Sequence, residues 1–281
     1  MSEKQKNIAL VCPGAPITHD LAASLKTIAA DRFGDRVALT IYDQCFEKQG
    51  HFAGTDAARS AAFLHAANDP NTDAVWFAKG GYGACRLDNT LWDKLDRHAR
   101  NKTYLGYSDT GVLLGRLYRD GIGKVAHGPM AIDLERDNGI TAVYRALDFL
   151  VDDDRTQFDV TEDSTAPTAA FNITVLAHMI AGPAMPDLSD HIVSLEDVGE
   201  YLYRTDRAFS AIINDPGIQR AAGIRLGRLT HIPENDRPFG QTGEEIAQYW
   251  CARAGITYLG RADIAHDVDN KIIPFGRDAI A

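Results

Sequence analysis

Cysteine is scarce in this sequence and follows no pattern. The four residues Cys12, Cys45, Cys85 and Cys251 are widely spaced and form no C-x-x-C pair. This argues against a disulfide framework, a zinc ribbon or a dithiol redox motif, and four reduced thiols in a cytoplasmic chain are expected. Basic charge is also short: 29 Lys and Arg stand against 39 Asp and Glu, a net charge of −10. Duplex nucleic acid is bound largely by neutralising phosphates, so neither nucleic acid nor an anionic membrane surface is an expected partner. Long apolar runs are missing. The most apolar stretch, 173–185, contains His178 and is too short to span a bilayer. Near the N-terminus, Pro13-Gly14 interrupts the apolar run that begins at Ile8, well short of the core of an export signal. Internal repeats and low-complexity tracts are absent as well.

What is present is a soluble globular composition. The 281 residues are 45% hydrophobic and 24% charged, enough for a full core in one large or two modest domains. In the first half, strand-like runs at Ile8–Val11, Val37–Tyr42, Ala74–Ala78, Tyr104–Tyr107 and Val125–His127 alternate with helical patterns. The helices are expected at Asp20–Asp31, Asp56–Ala67, Thr90–Arg97, Thr110–Arg119 and 140–153. Such alternation predicts a parallel sheet with helices on both faces. A polar segment, 152–168, reads as a domain junction. Beyond it a smaller α/β unit is expected, with strands in HIVSLEDV, IRLGRLTHI and ITYLG. Its helices are NITVLAHMIAG, YRTDRAFSAIIND and TGEEIAQYWCARAG, the last opening on the capping-box pair Thr242 and Glu245.

Several residues could carry chemistry. In LGYSDTGVLL, Ser108 stands where a strand ends and a helix begins. Either Ser108 or Asp109 caps the helix, or the serine is a nucleophile on a strand-to-helix elbow. Gly106-x-Ser108 matches half of G-x-S-x-G, with Thr110 replacing the second glycine. The turn KGGYGACRL brings adjacent Gly80 and Gly81, which let backbone approach a ligand closely. It fails as a dinucleotide fingerprint, because Arg86 stands where a third glycine is needed. Glu196-Asp197 end an apolar strand, where sheets of this class place active groups. Among nine histidines, His127 and His266 occupy strand-end and loop positions. His266-Asp267-Val268-Asp269 lacks a second histidine at metal-ligand spacing, so no metal and no cofactor are expected.

Four segments in order, KGGYGACRL, LGYSDTGVLL with HGPM, SLEDVGEYLYRTDR and AHDVDNKIIPFG, together resemble the LD-carboxypeptidase family of serine peptidases. Weaker similarity reaches back through FAGTDAARSAAFLHAA. The resemblance implies a serine-type hydrolase with a Ser-Glu-His triad: Ser108 the nucleophile, Glu196 the orienting acid and His266 the general base. It implies an oxyanion hole from the backbone N–H groups of Asp109 and of Gly81. It further implies a Rossmann-like N-terminal domain bearing the serine (1–151), a linker (152–168) and a C-terminal domain bearing the glutamate and histidine (169–281), assembled as a homodimer. Arg86 and Arg204 are candidates for holding a substrate carboxylate, against the plainer reading of each as an ion-pair partner. Departures from the family pattern include Lys79, Ala126 and Ala170-Phe171; none touches the triad.

The expected activity is cytoplasmic release of terminal D-alanine from murein tetrapeptides, as in peptidoglycan recycling. The alternatives are a microcin-immunity-type amide hydrolase using the same triad and, in another class, a non-catalytic α/β ligand-binding protein.

Overall fold

A computed structural model describes residues 4–159 and 165–277. The first sheet contains β1 (Lys6–Val11), β2 (Val37–Ile41), β3 (Ala74–Phe77), β4 (Thr103–Gly106) and β5 (Lys124–His127). Between them run α1 (His19–Phe33), α2 (Asp56–Asn68) and α3 (Gly111–Arg119), and α4 (Ile140–Asp152) follows. These strands are parallel, in the spatial order β2-β1-β3-β4-β5. β1 shows why the sheet is covered on both faces: Ile8 and Leu10 pack toward α1 and α4, while Ala9 and Val11 pack toward α2 and α3. Successive side chains alternate across a strand, so a sheet buried on both sides needs apolar residues at every position.

The second sheet is also parallel, in the order β6 (Thr168–Asn172), β7 (Ile192–Val198), β8 (Gly223–Thr230) and β9 (Tyr258–Arg261). It carries α5 (Ile173–Met179), α6 (Leu202–Ile212) and α7 (Gly243–Ala254). The expected capping box is in place: Glu245 N donates to Thr242 Oγ1, and Thr242 N donates to Glu245 Oε2. One apolar cluster runs unbroken from Leu113 and Leu117 of α3 to Phe171, Leu195 and Phe209. At the helix contact, Gly115 of α3 faces α5: a Cβ there would meet the end of the Met179 side chain and lie 3.2 Å from the Ala184 carbonyl oxygen.

Three features depart from the sequence reading, one of them β6 itself, a strand not expected between the linker 152–168 and the helix beginning at Asn172. The helix expected at Thr90–Arg97 is a 3-10 stretch, Asn89–Lys94, started by the Asp88 carboxylate accepting from Thr90 N at 2.8 Å. Only Leu91 in it is buried, so no apolar stripe sustains an α-helix. A two-residue strand, β10 (Ile273–Pro274), was not anticipated. It pairs antiparallel with β5, Ile273 opposite His127, and so returns the C-terminal segment to the first sheet. Of the expected linker 152–168, residues 160–164 lie outside the described residues.

Candidate active site

The chemistry-bearing residues gather at the C-terminal ends of the strands, where open α/β sheets bind ligands. β4 ends at Gly106, and the chain turns sharply through Ser108 into α3. Ser108 has φ +60°. Among the described residues the other non-glycine residues at positive φ are Asn138, Asp153, Asp190 and His231, residue types that tolerate this region, so serine is the exception. Two contacts hold the elbow. Thr110 Oγ1 donates to the Tyr107 carbonyl at 2.8 Å. A Cβ on Gly106 would lie 2.6 Å from Thr110 Oγ1 and 2.9 Å from Phe77. Thus Gly106 is required by sterics, and Thr110 supplies a bond that a second glycine would not.

The helix start has no side-chain cap. Asp109 sends its carboxylate elsewhere, accepting from Ala84 N at 2.8 Å and so tying the elbow to the glycine turn after β3. Burial pushes the Asp109 carboxyl up to about 6, against the lowering effect of that amide and of nearby Arg59. The first amides of a helix have no intrahelical acceptor, which leaves the Asp109 N–H at the head of this turn suited to an oxyanion. Gly80 faces the same spot: a Cβ there would lie 3.2 Å from Ser108 Cβ and 3.3 Å from both Asp109 N and Ser108 Oγ. Gly81, at φ +89°, sits one residue further along, its would-be Cβ toward Ala15 and His51.

Glu196 comes from β7 and is fully buried. Opposite it β8 has an irregular register, two steps on β7 (Leu195 to Asp197) matching three on β8 (Leu226 to Leu229). Bulges of this kind re-aim side chains beside active sites. Gly227 lies in that bulge, where a Cβ would come within 2.9 Å of Glu196 Cβ. Glu196 Oε2 accepts from His266 Nδ1 at 2.6 Å. The opposite ring nitrogen, His266 Nε2, is buried with no hydrogen-bond partner among the described residues. The imidazole also packs on Tyr107, the residue before Ser108, with ring centroids 4.7 Å apart. Burial by itself lowers the His266 pKa, but the Glu196 carboxylate outweighs it and the net shift is upward.

The loop bearing His266 is pinned from both halves of the molecule. Arg228 of β8 pairs with Asp263 and Asp267 on either side of it. Arg145 of α4 donates to the carbonyls of Val268 at 2.8 Å and Asn270 at 3.1 Å. Asn270 Oδ1 meets Ala265 N at 3.2 Å and His127 Nε2 at 3.3 Å. His127 is fully buried, and burial lowers its pKa to about 4, so it is neutral at neutral pH. Tyr107 is anchored in turn by donating to Asp133 Oδ1 at 2.7 Å, a carboxylate that Arg136 also engages.

A cavity of about 440 Å³ opens beside Ser108 between the 81–92 segment, α3 and α5. Arg86 and Arg204 are not among its lining residues. Arg86 pairs with Asp56 at 3.0 Å and Arg204 with Glu200 at 2.9 Å, both largely at the surface. The arginine that does line the cavity is Arg116, which the sequence did not single out; it is bonded to Asp120 and sits over Trp92. On α3 it follows Val112 by one turn and Leu113 by three residues, and these three line the cavity together. A second cavity, about 510 Å³, lies at the opposite strand ends near Lys6, Thr103 and Lys124. Among the described residues no cluster of three His, Cys, Asp or Glu side chains could hold a metal, and no helix is long and apolar enough to cross a membrane.

The profile of the LD-carboxypeptidase N-terminal domain matches residues 8–128, and that of the LD-carboxypeptidase C-terminal domain matches 165–280. A Synechocystis relative is 30% identical over 247 residues, 85% of this chain and 80% of its own. The chain belongs to the LD-carboxypeptidase family. Membership makes it a hydrolase. The murein tetrapeptide carboxypeptidase of Pseudomonas aeruginosa is 26% identical over 292 residues, covering 97% of this chain and 92% of that one. The muramoyltetrapeptide carboxypeptidase from Oxalobacter formigenes shares the fold, with a TM-score of 0.79 at 22% identity over 96% of this chain and 93% of that one. The microcin C7 self immunity protein MccF shares it at a TM-score of 0.75 and 17% identity, over 99% and 98% of the two chains.

Proposed function

We propose that the chain is a serine carboxypeptidase that hydrolyses the L,D-amide releasing terminal D-alanine from murein tetrapeptides. Ser108 is its nucleophile, His266 its general base and Glu196 the acid that orients the base. The observation carrying this reading is the Glu196–His266 pair: a buried carboxylate holds one imidazole nitrogen while the other is left without a partner. Buried polar atoms are rarely left unpaired, and a nitrogen kept so beside the Ser108 elbow suits a base whose partner is the reacting hydroxyl. The murein peptide enters as substrate through the relatives that act on it, in a chain of matching length.

The chemistry follows from these positions. Nδ1–H bonded to Glu196 fixes the tautomer whose Nε2 accepts a proton. Nε2 takes the Ser108 proton as Oγ attacks the amide carbonyl, and Glu196 stabilises the imidazolium that forms. The carbonyl oxygen gains charge against the Asp109 amide and the glycine turn. The imidazolium protonates the departing D-alanine amine. Water, deprotonated by the same imidazole, then cleaves the acyl-enzyme. The same proposal includes a homodimer acting in the cytoplasm, checked by sedimentation and by cell fractionation.

The test offers a murein tetrapeptide to the wild type and to Ser108→Ala and measures released D-alanine. Release from the wild type alone is expected. Equal release from both would remove the nucleophile, and none from either would remove the substrate. Incubation with aspartyl sulfamoyl adenosine, the compound bound in one MccF structure, separates the microcin-immunity alternative, which its binding or cleavage in preference to the murein peptide would favour.

A further inference from the structure

The segment FAGTDAARSAAFLHAA supplies Arg59, a residue with no part in the reaction as derived above. Arg59 lies on α2, yet its side chain is wholly buried. It stacks over Phe52 at 4.8 Å and pairs with Asp56, a carboxylate shared with Arg86. Its Nη1 donates to two carbonyls from different loops, Pro13 after β1 and Gly83 after β3, the latter at 2.8 Å. The same two loops are joined again where Ala15 N donates to Gly80 O at 2.9 Å. Gly83 has φ +135°, and a Cβ on it would lie 2.6 Å from Nη1, so the turn closes directly onto the guanidinium. From the other side the Asp109 carboxylate holds Ala84 N.

We infer that Arg59 is a positioning residue for the oxyanion site, fixing the Gly80–Gly83 turn against Ser108 by spanning the Pro13 and Gly83 carbonyls. A planar guanidinium serves this role because it offers several N–H donors in fixed directions. A lysine ammonium at the same depth has neither the plane nor the reach to hold both carbonyls and Asp56. The glycine turn has no regular secondary structure of its own, so its position depends on these bonds. An oxyanion donor acts only when it is preset at the reacting oxygen, and loss of one costs about 10²–10³ in turnover.

This inference rests on the reading of Ser108 as nucleophile, and the experiment separates the two. Arg59→Lys, made in the full chain, is compared with wild type in three measurements. The first is kcat and KM for D-alanine release, the second the rate of Ser108 labelling by a fluorophosphonate, and the third amide hydrogen exchange. Expected are a fall in kcat of about 10²-fold with KM within about threefold, labelling slowed in parallel, and faster exchange confined to amides 80–84. A folded Arg59→Lys protein with wild-type kcat and labelling would overturn the proposal. So would a loss that appears only in melting temperature or in the yield of folded protein. If Arg59→Lys does not fold, Gly83→Ala displaces the guanidinium from the opposite side and should give the same kcat loss. A wild type that neither releases D-alanine nor takes the label would defeat the functional reading. Hydrogen exchange would then still decide the clamp, since uniform rather than local acceleration would refute it.

Discussion

Replacing Glu196 by glutamine tests the heart of the site, because the change keeps size and removes one charge. Glu196 is fully buried and holds His266 at 2.6 Å. The charge centres of carboxylate and imidazolium are then roughly 4 Å apart. At an effective dielectric constant of about 20, their attraction is about 4 kcal/mol. That attraction exists only when the imidazole is protonated, so it stabilises the transition state and not the resting enzyme. Its loss corresponds to about three decades in kcat. The pH profile adds an independent sign. In the wild type Glu196 raises the His266 pKa against the lowering effect of burial. The base works when neutral, so the acid limb of kcat/KM should lie above the ordinary histidine value of about 6.5. In Glu196→Gln only burial remains dominant, and the acid limb of the residual activity should move to lower pH. Steady-state D-alanine release from pH 5 to 9 measures both quantities. Activity within tenfold of wild type, or an acid limb that stays in place, would refute the assignment of this pair.

Two further outcomes follow from the elbow and its surroundings. In Gly80→Ala the new methyl would lie 3.2–3.3 Å from Ser108 and from the Asp109 amide, so kcat should drop at least about 10²-fold while the melting temperature barely changes; wild-type kcat would show that the oxyanion does not sit there. The Asp109 carboxyl is held at about 6 in the folded protein against 3.8 without the fold. A raised acid binds more protons folded than unfolded, so its contribution to stability is complete below about pH 4 and declines as pH climbs to about 6. The stability of Asp109→Asn relative to wild type, followed by urea unfolding, should therefore increase by about 2 kcal/mol between pH 4 and pH 7. A flat difference would mean that the carboxyl is not held up by burial.

Much of the fold was legible in the sequence and the candidate site only in part, though not by one kind of signal. The α/β alternation, the Thr242 capping box and the parallel first sheet rest on local periodicity and turn chemistry, which side chains express wherever they fold. Ser108, by contrast, was open between cap and nucleophile. Its positive φ and the diversion of the Asp109 carboxylate to Ala84 are what remove the capping reading. Arg86 and Arg204 are charges near motifs that pair with Asp56 and Glu200, whereas Arg116 lines the cavity one turn after Val112 on α3. Arg59 lies within the helical pattern expected at Asp56–Ala67, where nothing in the spacing marks it for burial. Its burial depends on two carbonyls contributed by loops distant in the chain.

By itself the sequence determined the alternation of strands and helices through the first sheet and the candidate residue types for acyl transfer, because propensity, periodicity and turn preference act over a few neighbouring positions. Only the tertiary structure decided which nitrogen of His266 meets Glu196, which glycine faces Ser108, and that β10 crosses back to pair with β5. Each of these is a contact between segments separated by tens of residues or more, set by how layers of a sheet and its helices exclude water together. Distances of a few ångströms across such contacts are fixed by packing, and no local pattern encodes them.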